Sequence, residues 1–232
     1  MSPAYQTSRT VGNRPWYAEK DRRTERTIKV ELYVETVRPV IPGQNLVVFL
    51  HGMGADEKDL APLAEDFPDA GIWSVRAPWS LPYGGYAWYG LRAVGEPDIG
   101  TFRQSVELLD AWLDTRPASE QPVILLGFSQ GAAMSVAVSL RRRSRGIRAI
   151  IALSGPPLPS VEGETEGALT GLPVFWAHGT ADPVVPLDRG KGLKEAIQRA
   201  GGLLSAHEYP MGHTIIDAER ADFRRWSQAW VR

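Results

Sequence analysis

The chain has 232 residues, 43% of them hydrophobic and 23% charged, with a formal net charge of −1 and no cysteine. This composition can fill a sizeable core and argues against disorder; the near-neutral balance argues against nucleic acid as a partner and against charge-held membrane binding. The lack of cysteine removes disulfides, zinc–thiolate sites and a cysteine nucleophile. No apolar run approaches the roughly 20 residues that span a bilayer. The N-terminus lacks a signal-peptide core, and Glu19, Asp21 and Glu25 argue against a transit peptide. A cytoplasmic location without stable membrane insertion is the default expectation.

Residues 1–26 are polar and aperiodic and read as an arm that Trp16 and Tyr17 pin to the surface, ahead of a single domain over 27–232. From Thr27 to Val37, Ile28, Val30, Leu32 and Val34 alternate with polar residues, as in a half-buried edge strand. Leu46–Leu50 is continuously apolar and reads as a strand buried on both faces. It runs into His51-Gly52-Met53-Gly54, after which Asp56 caps an expected helix with Leu60, Leu63, Ala64 and Phe67 on one face. A strand over 72–77 ends at Pro78, and residues 79–100, rich in aromatics, glycine and proline, read as neither helix nor strand. A helix is expected over about 100–114, a buried strand over 122–126, and an apolar helix from Ala132.

Further along, strands are expected over 147–153, 173–177 and 203–209, with helices over about 187–200 and 216–231. Gly201-Gly202 forms the stop of the first of these helices. The 155–171 stretch, with Glu162, Glu164 and Glu166, reads as a surface loop, and the arginines at 141–143, 145 and 148 as a solvated helix end. Strands alternating with helices imply a doubly wound, mostly parallel sheet of about seven strands with no separate cap domain. Ligands bind such sheets beyond the carboxyl ends of the strands. His51-Gly52-Met53, Ser129, Asp182 and His213 all follow strands directly.

Gly127-Phe128-Ser129-Gln130-Gly131 lies between a strand and a helix. A serine on such a turn is forced into a strained backbone that lifts its hydroxyl out of the sheet; the alternative reading is a helix-capping serine. A serine nucleophile needs a base, and His213 sits on a loop able to return over the sheet edge. Asp182 is the expected partner of the imidazole, with Asp188 held in reserve. Gln130 N–H and Met53 N–H, with Gly52 as second choice, are the expected oxyanion donors. His51 reads as structural, and His178 and His207 as packing or surface residues. Trp79, Tyr83, Tyr86, Trp88 and Tyr89 either pack their loop down or supply the apolar wall of a substrate pocket.

Gly-Phe-Ser-Gln-Gly, His-Gly-Met-Gly-Ala-Asp, His-Gly-Thr-Ala-Asp-Pro-Val-Val-Pro and Gly-His closely resemble the motifs of the phospholipase/carboxylesterase family of α/β-hydrolases, in order, over about residues 28–232. The resemblance implies a cofactor-free, metal-free serine esterase acting on small carboxylic esters or thioesters. It implies Ser129, Asp182 and His213 as the triad and Met53 and Gln130 as oxyanion donors. The 82–89 segment is more tyrosine-rich than the family's loop, which argues against a long lipid acyl substrate and leaves aryl or short acyl esters open. An acyltransferase or perhydrolase with the same triad, and a non-catalytic ligand-binding member of the fold, remain alternatives; monomer and homodimer both stay open.

Overall fold

The computed structural model describes residues 31–115, 122–159 and 165–230. The expected arm over 1–26, the start of the first strand, Glu162 and Glu164 lie outside them. Seven strands form one sheet: β1 (Val34–Arg38), β2 (Leu46–Leu50), β3 (Gly71–Val75), β4 (Val123–Phe128), β5 (Ile147–Leu153), β6 (Pro173–Gly179) and β7 (Leu203–Tyr209). Their order is β1-β3-β2-β4-β5-β6-β7, with β1 antiparallel to β3 and the other pairings parallel. β2 is buried along its whole length, as its unbroken apolar run requires, whereas β1, half-buried at the edge, covers only the end of the strand expected over 27–37: residues 31–33 are not strand.

Period-two side chains divide the core between the two faces of the sheet. Leu46, Val48 and Leu50 pack with α1 (Ile99–Asp114), α2 (Gln130–Arg142) and α3 (Leu187–Arg199). Val47 and Phe49 face the other way, toward Phe67 and Phe223 of α4 (Asp217–Ser227). Asp98 caps α1 by accepting from Thr101 N–H, which fixes where the glycine- and proline-rich segment gives way to helix.

Two further expectations are corrected. The helix after Asp56 is a 3₁₀ turn over Ala61–Asp66, although Leu60, Leu63, Ala64 and Phe67 are buried as expected. Pro62 enters at its start and Pro68 disfavours helical backbone at Phe67, leaving no room for α-helical turns. Asp56 instead closes a turn by accepting from Lys58 N–H at 2.8 Å. The turn is fastened from outside: Arg38 donates to the carbonyls of Ala64, Phe67 and Ala70. From α4, Arg220 and Arg224 converge on the buried Asp66. The second correction concerns residues 79–100. Trp79–Ser80 pairs with Tyr86–Ala87, and Leu91–Ala93 with Glu96–Pro97, as two small antiparallel hairpins.

The basic stretch at the end of α2 is largely solvated, as expected, with Arg141, Arg143 and Arg145 exposed and the Arg142 side chain buried. Arg141 and Arg142 pair with Asp110, while Arg142 and Arg145 reach Asp114, tying α2 to α1. Among the described residues no helix is long and apolar enough to cross a membrane.

Glu219, in the first turn of α4, is fully buried. Burial pushes its carboxyl up to about 8, against only a small pull from the backbone of Ile216. The fold thus favours the neutral acid. The stability this group contributes is complete below its ordinary range near 4.5 and is lost as pH rises toward 8. Glu219→Gln, neutral at every pH, is expected to gain on the wild type between pH 5 and 9, by on the order of 4 kcal/mol at most. Thermal melts across that range check this; a constant difference in Tm would refute it.

Candidate active site

The chain leaves β2 for β3 on one side and later returns to β4 on the other, so the direction of winding reverses between β2 and β4. A crevice opens at such a point, beyond the carboxyl ends. His51-Gly52-Met53 leaves β2 there, and Ser129 leaves β4. Ser129 adopts φ 52°, ψ −118°, a strained conformation for a residue with a side chain, between β4 and the first turn of α2. Its N–H is tied to Leu153 O at 2.9 Å. The flanking glycines leave the space this turn needs: a Cβ on Gly131 would lie 1.8 Å from Leu50 O. Gly131→Ala is therefore expected to cost about 3 kcal/mol through overpacking, lowering Tm by roughly 10 °C. An unchanged melt would show that β2 yields there freely.

Ser129, His213 and Asp182, separated widely in sequence, meet above the sheet. His213 Nε2 lies 3.0 Å from Ser129 Oγ, and its Nδ1 lies 2.7 Å from Asp182 Oδ2. Asp182 Oδ1 accepts from Val184 and Val185 N–H, both at 2.8 Å. Burial works against the ionised Asp182, but bonds from His213, Val185 and Val184 outweigh it and hold the carboxyl below its usual range. The alternative acid Asp188 faces solvent, 4.0 Å from Lys191.

The remaining histidines fall into place around this centre. His51 is fully buried; its Nε2 accepts from Ala77 N–H at 3.0 Å, so Nδ1 carries the proton and donates to Gly52 O at 2.7 Å. Burial lowers its pKa, and the neutral ring braces the turn after β2. His178, also buried, has Nε2 2.8 Å from Val185 O and 3.6 Å from Asp182 Oδ2, so it supports the loop that orients Asp182. His207 stacks on Phe175 and bonds Ser205.

The Gln130 side chain makes contacts that the sequence did not reveal. Its Oε1 accepts from Trp88 N–H, its Nε2 donates to Tyr89 O, and Met53 Sδ lies 3.7 Å from Nε2. One side chain thus joins the start of α2, the turn after β2 and the aromatic segment. Gly54 N–H to Tyr86 O and Tyr86 N–H to Ala55 O, both 2.8 Å, add backbone ties between the last two.

A cavity of about 200 Å³ opens beside Ser129, Gln130 and Met53. Of the five aromatics expected at a pocket, Tyr89 alone borders it. Trp88 is buried and donates to His51 O; Trp79 donates to Ser105 Oγ; Tyr86 lies under the Arg76 guanidinium; Tyr83 is exposed. These four pack or cap the segment rather than wall the cavity. Its other sides come from Leu91, Val94 and Pro97 of the second hairpin, Pro156 and Pro157 after β5, and Val184 and Val185 beside Asp182. The Pro-Val-Val-Pro run was a visible signal for the last of these; nothing in the pattern marked the others.

Residues 32–230 match the family described as Phospholipase/Carboxylesterase. An acyl-protein thioesterase 1 of Debaryomyces hansenii is 29% identical over 212 residues, covering 78% of this chain and 89% of the relative. A probable carboxylesterase of Oryza sativa subsp. japonica is 31% identical over 205 residues, covering 79% and 87%. Among solved structures, esterase PE8 superposes with a TM-score of 0.73 at 28% identity, covering 88% of this chain and all of its own. The Bacillus cereus carboxylesterase, at 21% identity, shares the fold with a TM-score of 0.74 over 88% of this chain and 95% of its own. The chain belongs to the phospholipase/carboxylesterase family, and thereby to the carboxylic ester hydrolases of the α/β-hydrolase fold.

Proposed function

We propose that the protein is a serine esterase that cleaves small carboxylic esters through an acyl-enzyme on Ser129. The observation that carries this reading is the unbroken chain from Ser129 Oγ to His213 at 3.0 Å and from His213 to a buried Asp182 at 2.7 Å. In the first half-reaction His213 Nε2 takes the Ser129 proton while Oγ attacks the ester carbonyl. The new alkoxide falls between Met53 N–H and Gln130 N–H; the latter lies in the first turn of α2, where the helix leaves its own N–H groups unpaired. Collapse breaks the carbon–oxygen bond, and His213 hands its proton to the departing alcohol. In the second half-reaction His213 deprotonates water, which attacks the acyl carbonyl; collapse breaks the bond to Ser129 Oγ, which takes the proton back from His213 as the acid leaves. A thioester would follow the same path with a thiol leaving.

The cavity's size and its mainly apolar walls favour short acyl groups over long lipid chains. Two measurements test the proposal together. A fluorophosphonate probe is expected to add one covalent label on the peptide carrying Ser129. Turnover of p-nitrophenyl esters is expected to peak at short acyl chains and to be weak by palmitate. No label and no turnover at any chain length, with folded protein, would overturn the reading and favour a ligand-binding role.

A further inference from the structure

Arg189, in the first turn of α3, stands at the border of the cavity beside Ser129. Among the described residues lining that cavity it is the one charged side chain. Its Nη2 donates to Gly95 O at 2.8 Å, at the turn of the Leu91–Pro97 hairpin. Gly95 has φ 75°, and a Cβ there would lie 1.8 Å from Nη1, so the guanidinium rests directly on the hairpin backbone. A guanidinium offers five N–H donors in a fixed fork, and Gly95 O occupies one. No carboxylate among the described residues pairs with Arg189; adjacent Asp188 lies toward Lys191 instead. The charge is also felt inside. Burial raises the Tyr89 phenol well above its ordinary value, and the group opposing that rise is Arg189.

A cation with donors to spare, at the wall of an otherwise largely apolar cavity, suits an anionic group on the molecule that enters. We propose that the preferred substrates are esters bearing a carboxylate, which Arg189 holds by charge-assisted hydrogen bonds while Ser129 attacks the ester. This rests on the assignment of Ser129 as nucleophile. It makes Arg189 the specificity-determining residue, with Tyr89 as a neutral donor close by.

The test compares kcat/KM within two ester pairs, followed by acid release in a pH-stat. Monoethyl glutarate against ethyl valerate places the charge on the acyl half. The butyrate ester of glycolic acid against ethyl butyrate places it on the alcohol half. Taking the charged-to-neutral ratio cancels any loss common to both from a loosened hairpin. Arg189→Met is expected to lower the ratio about tenfold in at least one pair, with Arg189→Lys in between, and added salt is expected to lower the wild-type ratio. Unchanged ratios in both pairs would overturn the proposal and leave Arg189 as a latch for the hairpin. If the wild type hydrolyses none of the four esters and takes no fluorophosphonate label, the Ser129 assignment fails, and this proposal with it.

Discussion

Ser129→Ala is expected to lower kcat for p-nitrophenyl butyrate by about a millionfold, with a melting temperature close to that of the wild type. Alanine keeps the Cβ and leaves in place the backbone bond from residue 129 to Leu153 O. Position 129 is strained in both proteins, so the folded states differ by a hydroxyl and its bond to His213. On the proposed mechanism the variant loses the nucleophilic oxygen while keeping the N–H groups of Met53 and Gln130, so a small residual rate over water is expected. It should also fail to take up fluorophosphonate. Turnover near the wild-type level would remove Ser129 as nucleophile outright.

Asp182→Asn is expected to cost about 10⁴-fold in kcat with little change in KM. The side-chain oxygen of asparagine can still accept from Val184 and Val185, so the loop should hold its shape. The amide nitrogen then replaces Oδ2 opposite His213 Nδ1, offering a donor where the imidazole also has one. The ring answers by moving its proton to Nε2, and the lone pair that would take the Ser129 proton is gone. Steady-state kinetics of the purified variant decide the point. A loss smaller than tenfold would mean that another group orients His213. Asp188 is poorly placed to do so, because it faces solvent.

Sequence patterns reported some of these features well and others poorly. β2, β5 and β7 begin and end where their apolar or alternating runs do, since hydrophobic period follows directly from which faces are buried. The residues brought together above the sheet were legible because each follows a strand, and parallel strands deliver their carboxyl ends to one edge. What escaped was whatever depends on contacts between distant segments. The 3₁₀ turn at Ala61–Asp66 has a helical pattern but is shaped by two prolines and held by Arg38, Arg220 and Arg224. The aromatics at 79–89 have the composition of a pocket wall. Where each ring points is set by partners such as Ser105, Arg76 and His51, and no local rule reveals those. The cavity's walls come from separate segments, and apart from the Pro-Val-Val-Pro run their side chains carry no individual signature.

The Leu91–Pro97 hairpin has its two ends pinned beside each other. Asp98 N–H donates to Gly90 O at 2.8 Å, Gly90 N–H donates to Thr101 Oγ1 at 3.0 Å, and Asp98 caps α1. The stretch between them is in effect an exchangeable cassette. Its length and sequence can vary while the base of the loop stays closed, and loop-closure entropy grows only slowly with added residues. Substrate range can therefore drift by insertions and deletions here, in evolution or by grafting in the laboratory, without disturbing Ser129 or the turn after β2.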